Sequence, residues 1–164
     1  MTVQDYENWT SALRRHPQLT HTLLFLNKIL TRLIYVLYPL LLVYLALQRD
    51  SRLLRVLLVP AVSFVLLSLF RSYVNAPRPY EALEIQPLIH KSTKGHSFPS
   101  RHVFSVAAIA WAYGYIVPWA GIVLTVLAVL MAYIRVLGGV HFPRDVIAGL
   151  LVGELSGIIG FVLV

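Results

Sequence analysis

The 164-residue chain contains no cysteine, and only 13% of its residues are charged. The absence of cysteine excludes disulfide bonds, thiolate nucleophiles and cysteine-ligated metals. The low charge is accompanied by 58% hydrophobic residues and a positive mean hydropathy, which is outside the usual range of soluble domains. The composition therefore predicts one integral membrane domain, residues 1–164, in a multi-pass protein of the cell membrane.

Acidic residues are also scarce. The chain has seven Asp and Glu and fourteen Lys and Arg, which gives a formal net charge of +7. Such an excess suits nucleic acid, anionic lipid head groups or phosphate substrates. Seven of the basic residues lie in or around three short clusters described below. Because the charge is concentrated at these clusters, we expect a bilayer and an anionic substrate as partners and no nucleic acid. The oligomeric state is left open.

Long apolar stretches predict an all-α, polytopic membrane helix bundle with about five transmembrane helices. The predicted spans are residues 33–47, 53–70, 102–117, 119–134 and 146–164. No apolar run within residues 5–16 is long enough to cross a bilayer, so residues 1–30 are predicted to form an interfacial N-terminal segment with a helix in it. Pro60 is expected to kink the second span without ending it.

The substantial polar loop, residues 72–100, follows the second span. Five alternating spans place this loop on the same face as the end of the fourth span and the start of the fifth, so it is predicted to be the loop of the active face. Arg49, Arg52 and Arg55 flank the first short loop on the opposite face. The positive-inside rule makes that opposite face cytoplasmic. The active face is therefore expected to be extracytoplasmic.

Three clusters at the ends of these spans combine cations, histidines, a serine and a carboxylate. They are RSYVNAPRP at 71–79, PSRH at 99–102 and RVLGGVHFPRD at 135–145. Arg71, Arg78 and Arg135 offer planar donor forks that can hold phosphate oxygens bidentately, although each alone could be an interfacial arginine. Ser100 stands just before the third span, where it can donate to an anion or serve as an ordinary N-cap.

His141 and Asp145 are four residues apart, with Pro143 at a position that suits the first turn of a helix. The carboxylate can then orient the imidazole, and an oriented neutral imidazole is a competent nucleophile. Metal binding is the alternative for such residues. Only one nearby carboxylate accompanies His102 and His141, however, and the arginines would repel a cation. The pattern therefore favours metal-independent chemistry without a cofactor.

At these residues the chain resembles the type 2 phosphatidic acid phosphatase superfamily, membrane lipid phosphatases that share their site with soluble vanadium haloperoxidases. The family pattern is a basic residue, six others and Arg-Pro; then Pro-Ser-Gly-His; then Ser-Arg, five others, His, three others and Asp. The chain keeps this order and spacing. It departs from the pattern at three positions, because Arg71 replaces the usual lysine, Arg101 the glycine and Ile134 the serine. A typical member has six spans, one more than predicted here.

The resemblance implies a lipid phosphatase in which His141 attacks phosphorus and forms a phosphohistidine. His102 would protonate the leaving oxygen and then activate water, and Asp145 would complete the catalytic residues. The expected phosphate-binding residues are Arg71, Arg78, Ser100, Arg101 and Arg135. The backbone N–H of Arg101 would serve the site as the glycine does, while its side chain points away or adds a fourth cation.

Several substrates fit this resemblance: phosphatidate, phosphatidylglycerophosphate, undecaprenyl diphosphate and phosphorylated lipid A. The alternative is a lipid-phosphate binding or transport protein that has lost turnover. Only the replacement of the family glycine by Arg101 supports it. His90 and His96 lie outside the motifs and are assigned to the loop. Glu154, within the last span, is interpreted as a hydrogen-bonded packing residue, with a functional role as the alternative.

Overall fold

The computed structural model describes residues 1–163, and all regular secondary structure in that range is helical. The helices are α1 (Val3–Arg15), α2 (Pro17–Leu47), α3 (Leu53–Val74), the short α4 (Pro79–Ala82), α5 (Arg101–Gly114), α6 (Pro118–Leu137) and α7 (Pro143–Ile158), which continues as a π-helical segment, Ile159–Leu163. The predicted all-α bundle is confirmed. α3 runs through Pro60 without a break, as expected.

Four segments of the described chain are long and apolar enough to cross a membrane. They are Pro17–Leu47, Leu53–Ala82, Pro118–Leu137 and Pro143–Leu163. The predicted third span corresponds to α5, which has only 14 residues and is therefore about 21 Å long at 1.5 Å per residue. That length is short of a bilayer core of about 30 Å. α5 packs against α3, α6 and α7, so it lies inside the bundle rather than against lipid.

The outer helices carry apolar side chains on their surfaces. On α2 and α3, for example, Leu47 is 78% exposed, Leu54 66% and Leu69 64%. Exposed apolar surface of this extent is rare on soluble monomers, and on helices long enough to span a bilayer it marks contact with a membrane. The buried core lies instead around α5, where eight of the fourteen residues are buried.

Close packing of α5 against α7 depends on glycine. A Cβ added to Gly149 would lie 2.5 Å from the carbonyl oxygen of Ser100, and one added to Gly157 would lie 2.0 Å from Cγ of Trp111. Gly153 lies between them on the same face of α7. The absence of side chains lets the two backbones approach, as small residues do in membrane helix pairs. This contact also fixes the start of α5 beside the start of α7.

The first span begins earlier than predicted. α2 starts at Pro17, sixteen residues before the expected start at residue 33, because proline suits the first helical turn and no breaker follows until Pro39. The predicted interfacial segment, residues 1–30, is therefore divided between α1 and the first turns of α2. α1 begins with a capping box in which Thr2 and Asp5 exchange hydrogen bonds.

We expect the loop of residues 72–100 to face the extracytoplasmic side, because the arginine-rich α2–α3 turn should stay in the cytoplasm. Single cysteines placed at the exposed positions Glu84, in this loop, and Ser51, in that turn, test this in an otherwise cysteine-free chain. A membrane-impermeant maleimide should label Glu84→Cys in intact cells and Ser51→Cys only after permeabilisation. The opposite labelling pattern would reverse the orientation.

Candidate active site

Four helix ends meet at one end of the bundle and carry the three motifs. They are the C-terminal ends of α3 and α6 and the N-terminal ends of α5 and α7. The backbone N–H of Ser100 donates to the carbonyl oxygen of Asp145 at 2.8 Å, which joins the second motif directly to the third. The structure thus brings all eight predicted site residues to one region, although they are spread over 75 positions of the chain.

Arg71 and Arg78 are buried and shape the loop around them. The guanidinium of Arg71 donates to the carbonyl oxygens of Pro99 and His96. Arg78 donates through Nε to the carbonyl of Gly95 at 3.0 Å and through Nη1 to that of Val140 at 3.1 Å. Each guanidinium has five N–H donors, so donors remain for an anion after these bonds are made.

The Arg78 turn is secured by Glu81. Its carboxylate accepts from the backbone N–H of Arg78 at 2.8 Å and from that of Gly95 at 2.9 Å. Gly95 lies in the left-handed region with φ +64°, and a Cβ there would clash with Asn75 Oδ1 at 2.2 Å. The loop therefore turns back over the first motif in one defined path.

Arg135 and Ser100 present donors that no protein group satisfies. Nε of Arg135 and Oγ of Ser100 are buried, and neither has a hydrogen-bond partner among residues 1–163. Ser100 precedes α5 but makes no side-chain capping bond, so the N-cap alternative does not account for its hydroxyl. A buried donor without a partner costs about 1–3 kcal/mol. Two such donors, in motifs that lie together with the buried Arg71 and Arg78, indicate a place for an anion.

His141, Asp145 and Ser97 form a buried group beside these donors. Nδ1 of His141 lies 3.6 Å from Oδ2 of Asp145, which is too long for a direct hydrogen bond. Ser97 Oγ donates to that same Oδ2 at 2.5 Å and lies 3.4 Å from His141 Nδ1. Because the hydroxyl proton is given to Asp145, the Ser97 oxygen can only accept from Nδ1–H. This arrangement leaves the Nε2 lone pair of His141 free.

The environment of His141 keeps its imidazole neutral. Burial above all, together with the positive charges of Arg78 and Arg135, lowers the pKa of His141 to about 4, while Asp145 opposes the shift. At neutral pH the ring is therefore unprotonated and can act as a nucleophile.

His102 and Arg101 form the first turn of α5 and line an apolar cavity of about 450 Å³. The cavity runs between α2, α3 and α5, and its other lining residues include Tyr35, Pro60 and Met131. The guanidinium of Arg101 lies 5.4 Å from the centre of the Phe64 ring. Its side chain therefore points toward this cavity.

Sequence reasoning missed two residues that support this site, Ser97 and Tyr6, and gave Lys91 no role beyond its positive charge near the motifs. Ser97 gave no signal beyond being a hydroxyl two residues before Pro99. Lys91 lies half-buried near the arginines. Tyr6 of α1 is fully buried; its hydroxyl donates to the carbonyl of Leu137 at 3.1 Å and accepts from the N–H of Leu88 at 3.2 Å. An aromatic residue in an amphipathic helix was the only hint of Tyr6.

The remaining polar residues behave as structural groups. His96 lies in the loop, where its Nδ1 is 3.2 Å from the carbonyl oxygen of Arg71. Glu154 accepts a hydrogen bond from Nε1 of Trp111 at 2.7 Å, in line with the packing interpretation. Within residues 1–163, no group of three or more His, Asp and Glu side chains is placed to hold a metal ion.

Comparison with known proteins finds a matching family model and relatives that are named as phosphatases. A family model described as the PAP2 superfamily matches residues 52–164. An undecaprenyl-diphosphatase from Sulfolobus acidocaldarius is 33% identical over 122 residues, which cover 73% of this chain and 59% of that protein. YbjG of Escherichia coli, a putative undecaprenyl-diphosphatase, is 42% identical over 65 residues, 37% of this chain and 31% of that protein. The chain thus spans less than two thirds of either relative.

Two solved structures share the fold over almost the whole chain. LpxE of Aquifex aeolicus superposes with a TM-score of 0.76 and 29% identity, covering 97% of this chain and 93% of that one. A transmembrane PAP2 type phosphatidylglycerolphosphate phosphatase from Bacillus subtilis gives a TM-score of 0.73 and 25% identity, with 95% and 82% covered. Because 95% or more of the chain is aligned, the structural similarity extends to most of α1 and α2, which precede the family match that begins at residue 52.

Ser97 is expected to be a positioning residue for His141. Replacing it by alanine removes the donor to Asp145 and the acceptor for Nδ1–H, and a hydrogen bond to a charged group is worth about 1.5–3 kcal/mol. We expect kcat of Ser97→Ala to fall about 10- to 100-fold with little change in KM. The ¹⁵N shifts of His141 should show a mixture of tautomers. Ser68→Ala, which removes a hydroxyl bound only within α3, is the matched control. An unchanged kcat, or a single retained tautomer, would contradict this role.

Proposed function

The chain belongs to the PAP2 superfamily, and we propose that it is a membrane lipid phosphatase that transfers a terminal phosphoryl group of a lipid phosphate to His141 and then to water. The observation that carries the proposal is the pair of buried, unpartnered donors, Arg135 Nε and Ser100 Oγ, beside a buried neutral imidazole. Together they define a place for a phosphoryl group and a nucleophile next to it.

Arginines carry the electrostatic part of the reaction. The transition state of phosphoryl transfer spreads negative charge over three equatorial oxygens. Arg71, Arg78 and Arg135 are already buried and held by the fold, so little reorganisation is needed when that charge develops. Ser100 Oγ adds a neutral donor at the start of α5.

In the first step, the Nε2 lone pair of His141 forms a bond to phosphorus as the bond from phosphorus to the leaving oxygen breaks. His102 gives a proton to that oxygen. Its position on the apolar cavity supports this role, because the lipid part of the leaving group would occupy the cavity. The negative charge of the bound phosphate favours the protonated form of His102 that this step requires.

In the second step, His102 accepts a proton from water, and the water oxygen attacks the phosphohistidine. The P–N bond breaks and its electron pair returns to Nε2, so inorganic phosphate leaves and both histidines are restored. Asp145 acts on His141 through Ser97 rather than on the substrate. No residue in this scheme holds a metal, and we propose that the reaction needs neither a metal ion nor a cofactor.

The substrate is proposed to be a phosphomonoester or diphosphate of a lipid, bound from the extracytoplasmic face with its tail in the cavity between α2, α3 and α5. The names of the relatives cover undecaprenyl diphosphate and phosphatidylglycerophosphate, and phosphatidate and phosphorylated lipid A fit the same geometry. A lipid-phosphate binding or transport protein without turnover is the alternative. It is disfavoured because His102, His141 and Asp145 are all present and the nucleophile is unprotonated.

Trapping experiments separate the roles of the two histidines. His141→Gln should abolish both turnover and phosphoenzyme, because the proposed mechanism gives the phosphoryl group no other acceptor on the protein. His102→Ala should slow the first step on an alkyl ester about 10²–10⁴-fold, as loss of a general acid does. p-Nitrophenyl phosphate needs less protonation of its leaving group. With it, His102→Ala should accumulate a phosphoenzyme that survives alkaline quench and is lost in acid.

The trapping is run with EDTA throughout, so that it also tests the metal-free assignment. An adduct that forms in His141→Gln and not in His102→Ala would reverse the assignment of the two histidines. An adduct that forms only after Mg²⁺ or Zn²⁺ is restored would show that a metal takes part.

A further inference from the structure

We propose that Lys91 and Arg101 form a second anion subsite, which binds the phosphate that is not transferred when the substrate is a lipid diphosphate. This inference rests on the phosphatase function proposed above and narrows its substrate class. Arg101 replaces the family glycine and Lys91 lies outside the three motifs, so the subsite is additional to the common site.

The loop carrying Lys91 is held on both sides of the residue. The backbone N–H of Ile89 donates to the carbonyl of Gly138 at 3.0 Å, in the segment that leads to His141. The hydroxyl of Tyr80, next to the Arg78-Pro79 motif, donates to the carbonyl of Thr93. Lys91 is half-buried between these two attachments. The backbone position of Lys91 is therefore fixed by the third motif and by the residue that follows the first.

Lys91 stands in the positive field of the whole site. Burial above all, together with the positive charges of Arg78, Arg135, Arg101 and Arg71, lowers the pKa of Lys91 to about 8. Within residues 1–163, neither the Lys91 nor the Arg101 side chain has an ion pair with a carboxylate. A cation placed among other cations raises the energy of the empty site, and a bound anion relieves this repulsion.

The charge balance favours more than one phosphate. Arg71, Arg78, Arg135, Lys91 and Arg101 are five cations. Two carboxylates lie near them: Asp145, which attracts Arg71, and Glu81, which accepts from the backbone N–H of Arg78. Leaving out the solvent-exposed Arg144, the site carries three net positive charges. A phosphomonoester brings about two negative charges at neutral pH, whereas a second phosphate group raises this to about three. The diphosphate therefore neutralises the site and the monophosphate does not.

The position of Arg101 fits the order of groups in such a substrate. In a lipid diphosphate, the second phosphate lies between the transferred phosphoryl group and the tail. Arg101 lies next to His102 at the apolar cavity proposed for the tail, and it is near enough to Arg71 for the two charges to repel each other. When the bond between the terminal phosphorus and the bridging oxygen breaks, the electron pair goes to that oxygen. The departing lipid monophosphate then carries the charge that Lys91 and Arg101 stabilise.

The test compares farnesyl diphosphate with farnesyl monophosphate as substrates of the full chain in detergent. The ratio of their kcat/KM values is measured for the wild type, Lys91→Gln, Arg101→Gly and the double variant. Loss of a hydrogen bond to a charged group corresponds to about 10- to 100-fold. We expect the diphosphate-to-monophosphate ratio to fall by at least about 10-fold in each single variant. Lys94→Gln, an exposed lysine of the same loop, is the control and should keep the ratio.

Binding of inorganic pyrophosphate and of inorganic phosphate, measured by thermal shift on the same proteins, distinguishes this subsite from the proposed reaction. A pyrophosphate preference that is lost in Lys91→Gln and Arg101→Gly supports the subsite even if the chain shows no turnover, in which case the proposed function alone fails. Turnover with an unchanged ratio in both variants, or a ratio that falls equally in Lys94→Gln, would overturn the subsite.

Discussion

Burial of positive charge at the end of a membrane bundle is the constraint on which the rest of the structure depends. Arg71 and Arg78 lie at less than a tenth of their full exposure, where a guanidinium without hydrogen bonds would be costly. Backbone carbonyls between Gly95 and Pro99, and that of Val140, supply those bonds and so determine the path of the loop. The same loop residues place Ser97 against Asp145. The loop thus adopts a path that satisfies part of the hydrogen-bonding capacity of Arg71 and Arg78. Their remaining N–H donors are available to an anion.

The helix core gives this arrangement its precision. The glycine face of α7 allows α5 to approach until the N–H of Ser100 reaches the carbonyl of Asp145. The second and third motifs are separated in the chain by α5 and α6. Their proximity therefore depends on this packing contact. The short length of α5 has the same origin, because a helix that begins at the site and is enclosed by α3, α6 and α7 need not cross the whole bilayer. The packing of the helices in the bundle therefore determines the positions of the candidate catalytic residues.

Much of the site could be predicted from sequence, since spacing between motifs and alternation of spans both point to one face. Hydropathy could not locate the start of α2, because His21, Asn27 and Lys28 lower the apolar signal without breaking the helix. It also could not distinguish an enclosed 14-residue helix from a full span. Ser97 and Tyr6 act through contacts with residues 44 to 131 positions away, and Lys91 through its proximity to arginines of all three motifs. Such relations leave no local pattern in the sequence. The same limit hid the bridging role of Ser97, since a spacing of four between His141 and Asp145 suggests direct contact.

The central claim is that His141 Nε2 is the nucleophile at an anion site built from Arg71, Arg78, Arg135 and Ser100. A structure of the protein with bound vanadate tests it most directly, because vanadate adopts the five-coordinate geometry of the transferring phosphoryl group. We predict vanadium bonded to Nε2 of His141, with Arg135 Nε and Ser100 Oγ within about 3.2 Å of its equatorial oxygens. Vanadium bonded to His102, or vanadate bound without contact to Arg135 and Ser100, would contradict this account.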